Sequence, residues 1–383
     1  MGCSCNAKQD YSQNNQKTSN VAIVHDFLLY PGGAERVLAD IAKMYPDAPI
    51  YTLLYDEQKM SKYFPDREIR TSFLQKWPKF LRRRYKFLLP FFAAAMESFD
   101  FRDFDLIISS SGAWGKGIVT RLNTLHVAYV HSPMRYVWDE NEYYLRKKLG
   151  KRNGFLTRLL LSYLRVWDFE AAQRPDVLVA NSEYTKNRIK KYYRRNAEVV
   201  YPGVKLDTKN EREDGNNEKY FLVISRLSKY KNVSLAVEAC NKLQLPLKVI
   251  GEGEEKELLQ KIAGETVEIL GWQSEEEKIK YLQNARALLF PVEDDFGIVC
   301  TEALSCGVPV VALGRGGATE IVESKINGEL FDAPTVELLA DGIRRFLENE
   351  KKYDKEVIRN SVQKFNKQAF EQNLQNIIDS NIK

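Results

Sequence analysis

Between Phe290 and Val311 the chain reads FPVEDDFGIVCTEALSCGVPVV, and this stretch restricts the fold more than any other. The apolar run Ala287 to Pro291 reads as a buried parallel strand, followed by an acidic loop, Glu293-Asp294-Asp295. Phe296-Gly297 then opens a helical stretch that closes at Cys306-Gly307, and Val308 to Ala312 is the next strand. A helix N-terminus carries about half a positive charge and several unpaired N–H groups, so it accepts phosphate. Asp294 precedes that terminus and Glu302 lies inside the helix, so an anion seated there has a carboxylate on each side. A molecule with a diphosphate in its middle and hydroxyl-rich groups at both ends, such as a sugar nucleotide, suits that arrangement.

The same strand–loop–helix pattern recurs along the chain. Val21 to His25 is a short strand, Asp26 to Gly33 a loop, and a helix starts at Ala34. Gly32 and Gly33 lack a Cβ, so their N–H groups can approach an anion; an ordinary turn is the plainer reading. Strands follow at Ala48 to Tyr55, Asp105 to Ser109 and Leu125 to Val130, with Asp176 to Ala180 and Glu198 to Tyr201 closing the first sheet. Ser109 to Gly117 (SSSGAWGKG) is a small-residue loop at a strand's C-terminal end, where open parallel sheets bind ligands. His131 ends the next strand and faces the same cleft as Gly33; a structural and a functional histidine are both open there. Tyr143 to Ala172 reads as a basic, aromatic helix.

A charged Asn/Gly-rich linker, Lys205 to Lys219, separates a second half that begins at Tyr220. Its first strand runs into Arg226 and Lys231, Leu247 to Ile250 meets Gly251-Glu252-Gly253, and Val267 to Leu270 meets Gly271-Trp272. Beyond Val308 to Leu313 lies Gly314-Arg315-Gly316-Gly317, another close-approach loop. Strands alternating with helices in two halves predict an α/β protein of two Rossmann-like, doubly wound parallel-sheet domains facing a central cleft. The expected divisions are a disordered tail at 1–20, an N-terminal domain at 21–203, a C-terminal domain at 204–360, and a final helix at 361–383 that packs back on the first domain.

Composition narrows the function classes. With 44% hydrophobic and 28% charged residues in 383, the chain is that of a globular protein with ample core. A formal charge of +5 permits contact with anionic lipid or nucleic acid without demanding either, and no nucleic-acid partner is expected. No run of 18 apolar residues exists to span a bilayer, and the polar segment Met1 to Asn20 has no apolar core of an export signal. Five cysteines, two of them in that tail, favour reduced thiols and a cytoplasmic location. Asp103-Phe104-Asp105 reads as the start of a strand, so no metal is expected. Lys76 to Phe99 joins a basic cluster, Arg82 to Arg84 with Lys86, to an aromatic run broken at Pro90. It reads either as a helical pair packed on its own domain or as a segment resting on an anionic membrane.

Arg226 and Lys231 are five residues apart after one strand and can reach a common anion. Two cations and a helix terminus suffice to neutralise a diphosphate leaving group without a metal. Here the residues resemble a known family. Asp294-x7-Glu302 followed by ALSCGVPVV is similar to the E-x7-E segment of retaining glycosyltransferases of family 4, which have the GT-B fold. Gly32-Gly33, Arg226-Leu227-x3-Lys231 and Gly316-Gly317-x2-Glu320 extend the resemblance, in order, over nearly all of 21–383. HDFLLYPGGAERV, DAPIYTLLYD and HSPMRYVWD are similar to WbaZ-like mannosyltransferases of surface-polysaccharide assembly. The one departure is Asp294, which stands where the family has Glu and reaches one methylene less far.

The resemblance implies that Arg226 and Lys231 hold the diphosphate of a nucleotide sugar, aided by N–H groups from Gly33, beside Gly32 in the donor site, and from Gly297 and Ile298. Glu302 would hold the ribose, Asp294 and the N–H groups near Phe296 would orient the transferred sugar, and His131 would lie near the anomeric centre. It implies front-face, metal-independent transfer without a cofactor, from GDP-mannose to a lipid-linked or oligosaccharide acceptor, at the cytoplasmic face of the membrane. A UDP-hexose donor, a sugar-nucleotide epimerase, and a non-enzymatic nucleic-acid or membrane adaptor are the competing readings.

Overall fold

The structure, a computed structural model, describes residues 20–139, 154–204 and 219–382. The expected tail and linker fall almost wholly outside the described residues, as does the first part of the helix expected from Tyr143. Two parallel sheets organise the rest. The first has seven strands: β1 (Val21–His25), β2 (Ile50–Thr52), β3 (Ile69–Thr71), β4 (Leu106–Ser111), β5 (Leu125–Val130), β6 (Val177–Ala180) and β7 (Glu198–Val199), in the order β3-β2-β1-β4-β5-β6-β7. The second has six: β8 (Tyr220–Ile224), β9 (Leu247–Ile250), β10 (Val267–Gly271), β11 (Ala285–Phe290), β12 (Val310–Leu313) and β13 (Gly328–Phe331), in the order β10-β9-β8-β11-β12-β13. Both are doubly wound, and the two together form the GT-B arrangement that the motifs imply. The strand order reverses between β1 and β4 and again between β8 and β11, and ligands bind in the crevice that such a reversal opens at the strand ends.

Five helices place the site: α1 (Gly33–Met44), α2 (Gly154–Ala171), α3 (Glu183–Tyr193), α4 (Ile298–Ser305) and α5 (Lys367–Asn381). In α1, Glu35 in the first turn and Lys43 in the last complement the dipole, while Val37, Leu38 and Ile41 are buried. Helix α5 lies on the first half: Phe370, Leu374 and Ile378 share a core with Leu38 and Ile41, and Lys367 Nζ reaches Asp40 Oδ1 at 2.6 Å. Strand β4 is buried along its whole length although it ends in three serines. Each serine finds a partner, at His126 Nε2 (2.8 Å), His131 Nε2 (2.7 Å) and Asp26 Oδ1 (3.5 Å), which offsets the cost of burying hydroxyls.

Lys76 to Phe99 packs on its own domain as two short helices, Lys79–Arg83 and Phe92–Glu97, joined by a 3₁₀ segment, Tyr85–Phe91, that contains Pro90. Proline removes an N–H and clashes with the preceding turn, so no long helix can pass through it. Leu88, Phe92 and Met96 point into the first core, whereas Phe80 and Phe87 are 67% and 75% exposed.

Candidate functional site

A cavity of about 1500 Å³ separates the carboxyl ends of the two sheets. All ten residues singled out from the sequence line it: Gly32, Gly33 and His131 from the first half, and Arg226, Lys231, Asp294, Phe296, Gly297, Ile298 and Glu302 from the second. The cations and the acidic loop come from the two turns that flank the β8/β11 reversal. A Cβ on Gly33 would stand 3.1 Å from Ile298 Cδ1, so the first residues of α1 and α4 meet across the cleft. Two helix N-termini therefore present their partial positive charge to one space. Gly297 caps α4 at φ +104°, a left-handed conformation that glycine adopts without strain.

The turn carrying Arg226 owes its position to two glycines. A Cβ on Gly251 would lie 1.8 Å from Ser225 O, and one on Gly253 2.1 Å from Leu227 O. Leu227 N–H donates to Glu252 O at 2.9 Å and locks the two turns together. The Arg226 side chain is exposed in the cavity and makes no hydrogen bond or ion pair among the described residues. Lys231 differs: its ammonium is bonded to the Asp294 carboxylate. Burial opposes the charge on each, yet each holds the other charged. The Lys231 pKa is raised by Asp294, and the Asp294 pKa is lowered by Lys231 and by Arg135.

The two carboxylates are part-buried and paired with cations, unlike a bare acidic bracket. Glu302 accepts from Arg36 of α1 and from Lys278 Nζ (3.4 Å), and Arg36 also reaches Glu275 at 2.5 Å. Arg36 thus ties the halves together at one side of the cleft. At the other side, Asp295 accepts from Arg135 at 2.8 and 3.0 Å and from Arg188, and Ser182 Oγ–H donates to Asp295 O at 2.6 Å. Tyr184 O–H donates to Glu293 Oε1 at 2.7 Å, while Glu320 accepts the N–H groups of Glu183 (2.9 Å) and Tyr184 (2.8 Å) at the start of α3. Arg36, Arg135 and Arg188 were not singled out from the sequence. Arg36 follows Gly33 by three residues and Arg135 lies within HSPMRYVWD, so position could have flagged both; nothing local marks Arg188.

Two small-residue loops serve other ends than ligand binding. The Asp26 carboxylate accepts N–H groups from Gly112, Ala113, Trp114 and Gly115 at 2.8, 2.7, 2.8 and 2.6 Å. The loop after β4 is an anion nest filled by the protein's own side chain, which corrects its reading as a ligand loop. Gly316 and Gly317 pack under the acidic loop: Gly317 N–H donates to Asp294 O at 2.9 Å, and a Cβ on either would strike the backbone of Asp294 or Phe296 at 2.4 Å. Among the described residues no cluster of His, Cys, Asp and Glu could hold a metal ion.

His131 Nε2 lies 2.7 Å from Ser110 Oγ, and burial together with His25 pushes its pKa down to about 3, so the ring is neutral. His25 Nδ1 lies 2.9 Å from Ser110 O, and its Nε2 lies 3.6 Å from Glu35. Burial works against charge on His25, but Glu35 and Asp26 outweigh it and the pKa is raised. A chain of polar contacts, Glu35–His25–Ser110–His131, buried at its middle two members, therefore joins two walls of the cavity. The carbonyl of Ser110 requires Nδ1 of His25 to carry a proton.

The model for glycosyltransferase family 4 matches residues 31–208, and the model for glycosyl transferases group 1 matches 205–364. An uncharacterized glycosyltransferase of Methanocaldococcus jannaschii is 22% identical over 84% of this chain and 86% of its own length. An alpha-1,3/1,6-mannosyltransferase of Rhizomucor pusillus is 22% identical over 86% of this chain and 84% of its own. Among solved structures, Anabaena HepE in complex with UDP and glucose superposes with a TM-score of 0.68 at 20% identity, covering 94% of this chain and all of that one.

Proposed function

We propose that this chain, which belongs to the family 4 glycosyltransferases with a group 1 second half, transfers mannose with retention from GDP-mannose to a lipid-linked or oligosaccharide acceptor. The observation that carries the reading is convergence: two helix N-termini, Arg226 and Lys231 meet at one cavity, with Asp294 at one end and Glu302 at the other. A diphosphate placed between the termini gains four sources of positive charge, none of which needs a metal. Arg226, free of other bonds among the described residues, is ready to take it. Lys231 already faces a carboxylate, so it bridges the phosphate and the sugar-binding Asp294. Glu302, now paired with Arg36 and Lys278, exchanges these cations for ribose hydroxyls.

Cleavage of the glycosidic bond puts negative charge on the departing phosphate and positive charge on the anomeric carbon. The two cations stabilise the first, and the ionised Asp294 carboxylate orients the sugar that carries the second. The acceptor hydroxyl attacks from the face the phosphate leaves, and the phosphate takes its proton. Neutral His131 offers a hydrogen bond to the sugar without adding charge beside the cationic carbon. Mannose is supported by the mannosyltransferase relatives; the UDP and glucose of HepE favour the second reading, a UDP-hexose donor. A panel of GDP-mannose, UDP-glucose, UDP-galactose and UDP-N-acetylglucosamine against an extracted lipid fraction decides. GDP release dependent on acceptor is expected, and consumption of UDP-sugars alone would overturn mannose.

A further inference from the structure

The outer surface of the first half carries an apolar, cationic face that the site does not use. On α2, Phe155, Leu159, Tyr163 and Val166 recur at spacings of four, four and three, and are 77%, 59%, 54% and 64% exposed. That spacing puts them on one side of the helix, while Leu161, Leu164 and Trp167 face the core on the other. The 79–91 segment turns Phe80, Phe87 and Phe91 outward in the same way. The two segments are neighbours. Their inner residues share one core, Trp114 sits between Phe92 (5.3 Å) and Trp167 (4.9 Å), and Trp167 Nε1–H donates to Glu97 at 2.9 Å.

Charge distinguishes this face from the rest of the surface. Residues 76–91 hold six Lys and Arg and no Asp or Glu, whereas α2 sets Arg158 and Arg165 against Asp168, buried on Lys116, and Glu170, which is exposed. The 76–91 segment alone sums to +6 against +5 for the whole chain, so the remainder is net negative. Lys76, Lys79, Arg84 and Arg158 are exposed among the aromatic side chains. A second copy of the same face would bring like charges together, which disfavours self-association. No helix among the described residues is long and apolar enough to cross a membrane, so the geometry is that of a surface lying on lipid rather than spanning it.

We propose that the outer faces of α2 and of the 79–91 segment form one surface that docks on an anionic lipid bilayer. Arg84, Tyr85 and Phe87 also border the cavity, so the cleft mouth opens at the edge of this surface. Under the transferase reading, a lipid-linked acceptor keeps its chain in the bilayer while its head group enters past Phe87; the docking itself does not depend on that reading.

The test is flotation of the full chain with phosphatidylcholine vesicles, alone or with roughly 30% phosphatidylglycerol. Binding to the anionic vesicles at low salt and release at high salt are expected, with none to phosphatidylcholine alone. Lys76→Gln with Lys79→Gln should weaken partition roughly 30-fold, and Phe155→Ser with Leu159→Ser at least ~10-fold. Both variants should bind GDP as the unaltered chain does, which shows an intact fold and site. Equal binding to both vesicle types, or undiminished binding by either variant, would overturn the proposal. So would a dimer that Phe155→Ser with Leu159→Ser dissociates in the absence of vesicle binding. Vesicle binding without transfer from any donor would defeat the transferase reading and leave the docking surface standing.

Discussion

The loop after β4 and the loop after β11 occupy equivalent places, each leaving the strand next to the order reversal of its sheet. Both turn backbone N–H groups toward one spot, the first with small residues (GAWGKG) and the second, an acidic loop, through Gly297 at the start of α4. The first closes around Asp26, which fills it with four hydrogen bonds. The second leaves the start of α4 facing the cavity, and spends its carboxylates on side-chain cations instead. A nest occupied by its own chain is structure; a nest left open toward a cavity is a site. The difference is made by one residue 86 positions before Gly112, just past the end of β1, a strand that pairs with β4 only in the folded sheet.

The contrast predicts opposite phenotypes. Lys231→Ala should cut kcat by roughly 10²–10³ while donor binding weakens less, because the lost charge acts most on the leaving phosphate. Steady-state kinetics with the active donor checks this, and a Tm within a few degrees of the unaltered chain is expected. Asp26→Ala should do the reverse. It leaves four N–H groups, two of them fully buried, without an acceptor, at a cost of about 3 kcal/mol, read by chemical denaturation. Should Asp26→Ala keep its stability and lose transfer, the first loop belongs to the site and the contrast collapses. Glu302→Gln comes next in size. It keeps the shape and loses the charged acceptor, so the donor KM should rise roughly 10- to 100-fold with kcat less affected.

How far this was legible in the sequence follows from the same comparison. The second-half site announces itself locally: strand, acidic loop, Gly297, helix and Glu302 lie within one stretch, and Arg226 with Lys231 lies within another. The ten expected residues do line one cavity. What the sequence hid is pairwise and distant. Arg36 to Glu302 spans 266 positions and Arg188 to Asp295 spans 107, and an arginine on a helix carries no mark of what it will meet. In the 76–99 segment the break at Pro90 was legible, but the 3₁₀ turn Tyr85–Phe91 that joins its two short helices carried no local mark.

The smallest expected effect separates the halves by pH. In the second half, Lys231 is held above and Asp294 below its ordinary range, so the pair stays charged between pH 5 and 8. The first half carries the titrating groups. His126 and His131 are both pushed down to about 3 from 6.5, mainly by burial. Unfolding at a pH below 6.5 therefore takes up protons, and stability is lost as pH falls from there toward 3, by up to about 1.4 kcal/mol per pH unit for each histidine. His25 has the opposite sign: its pKa is raised, so its contribution is full below 6.5 and fades as pH rises through the folded value. Denaturation midpoints across pH 4 to 8 should trace a maximum near neutrality, and His131→Gln should shallow the acid limb by about one proton's share. The kcat profile of that variant, though lower throughout, should run parallel to the original between pH 5 and 8, because a ring that titrates near 3 is neutral over that whole range. A kcat limb near pH 6.5 that His131→Gln abolishes would mean that His131 titrates in the working enzyme, and that the first half takes part in proton transfer rather than only positioning the sugar.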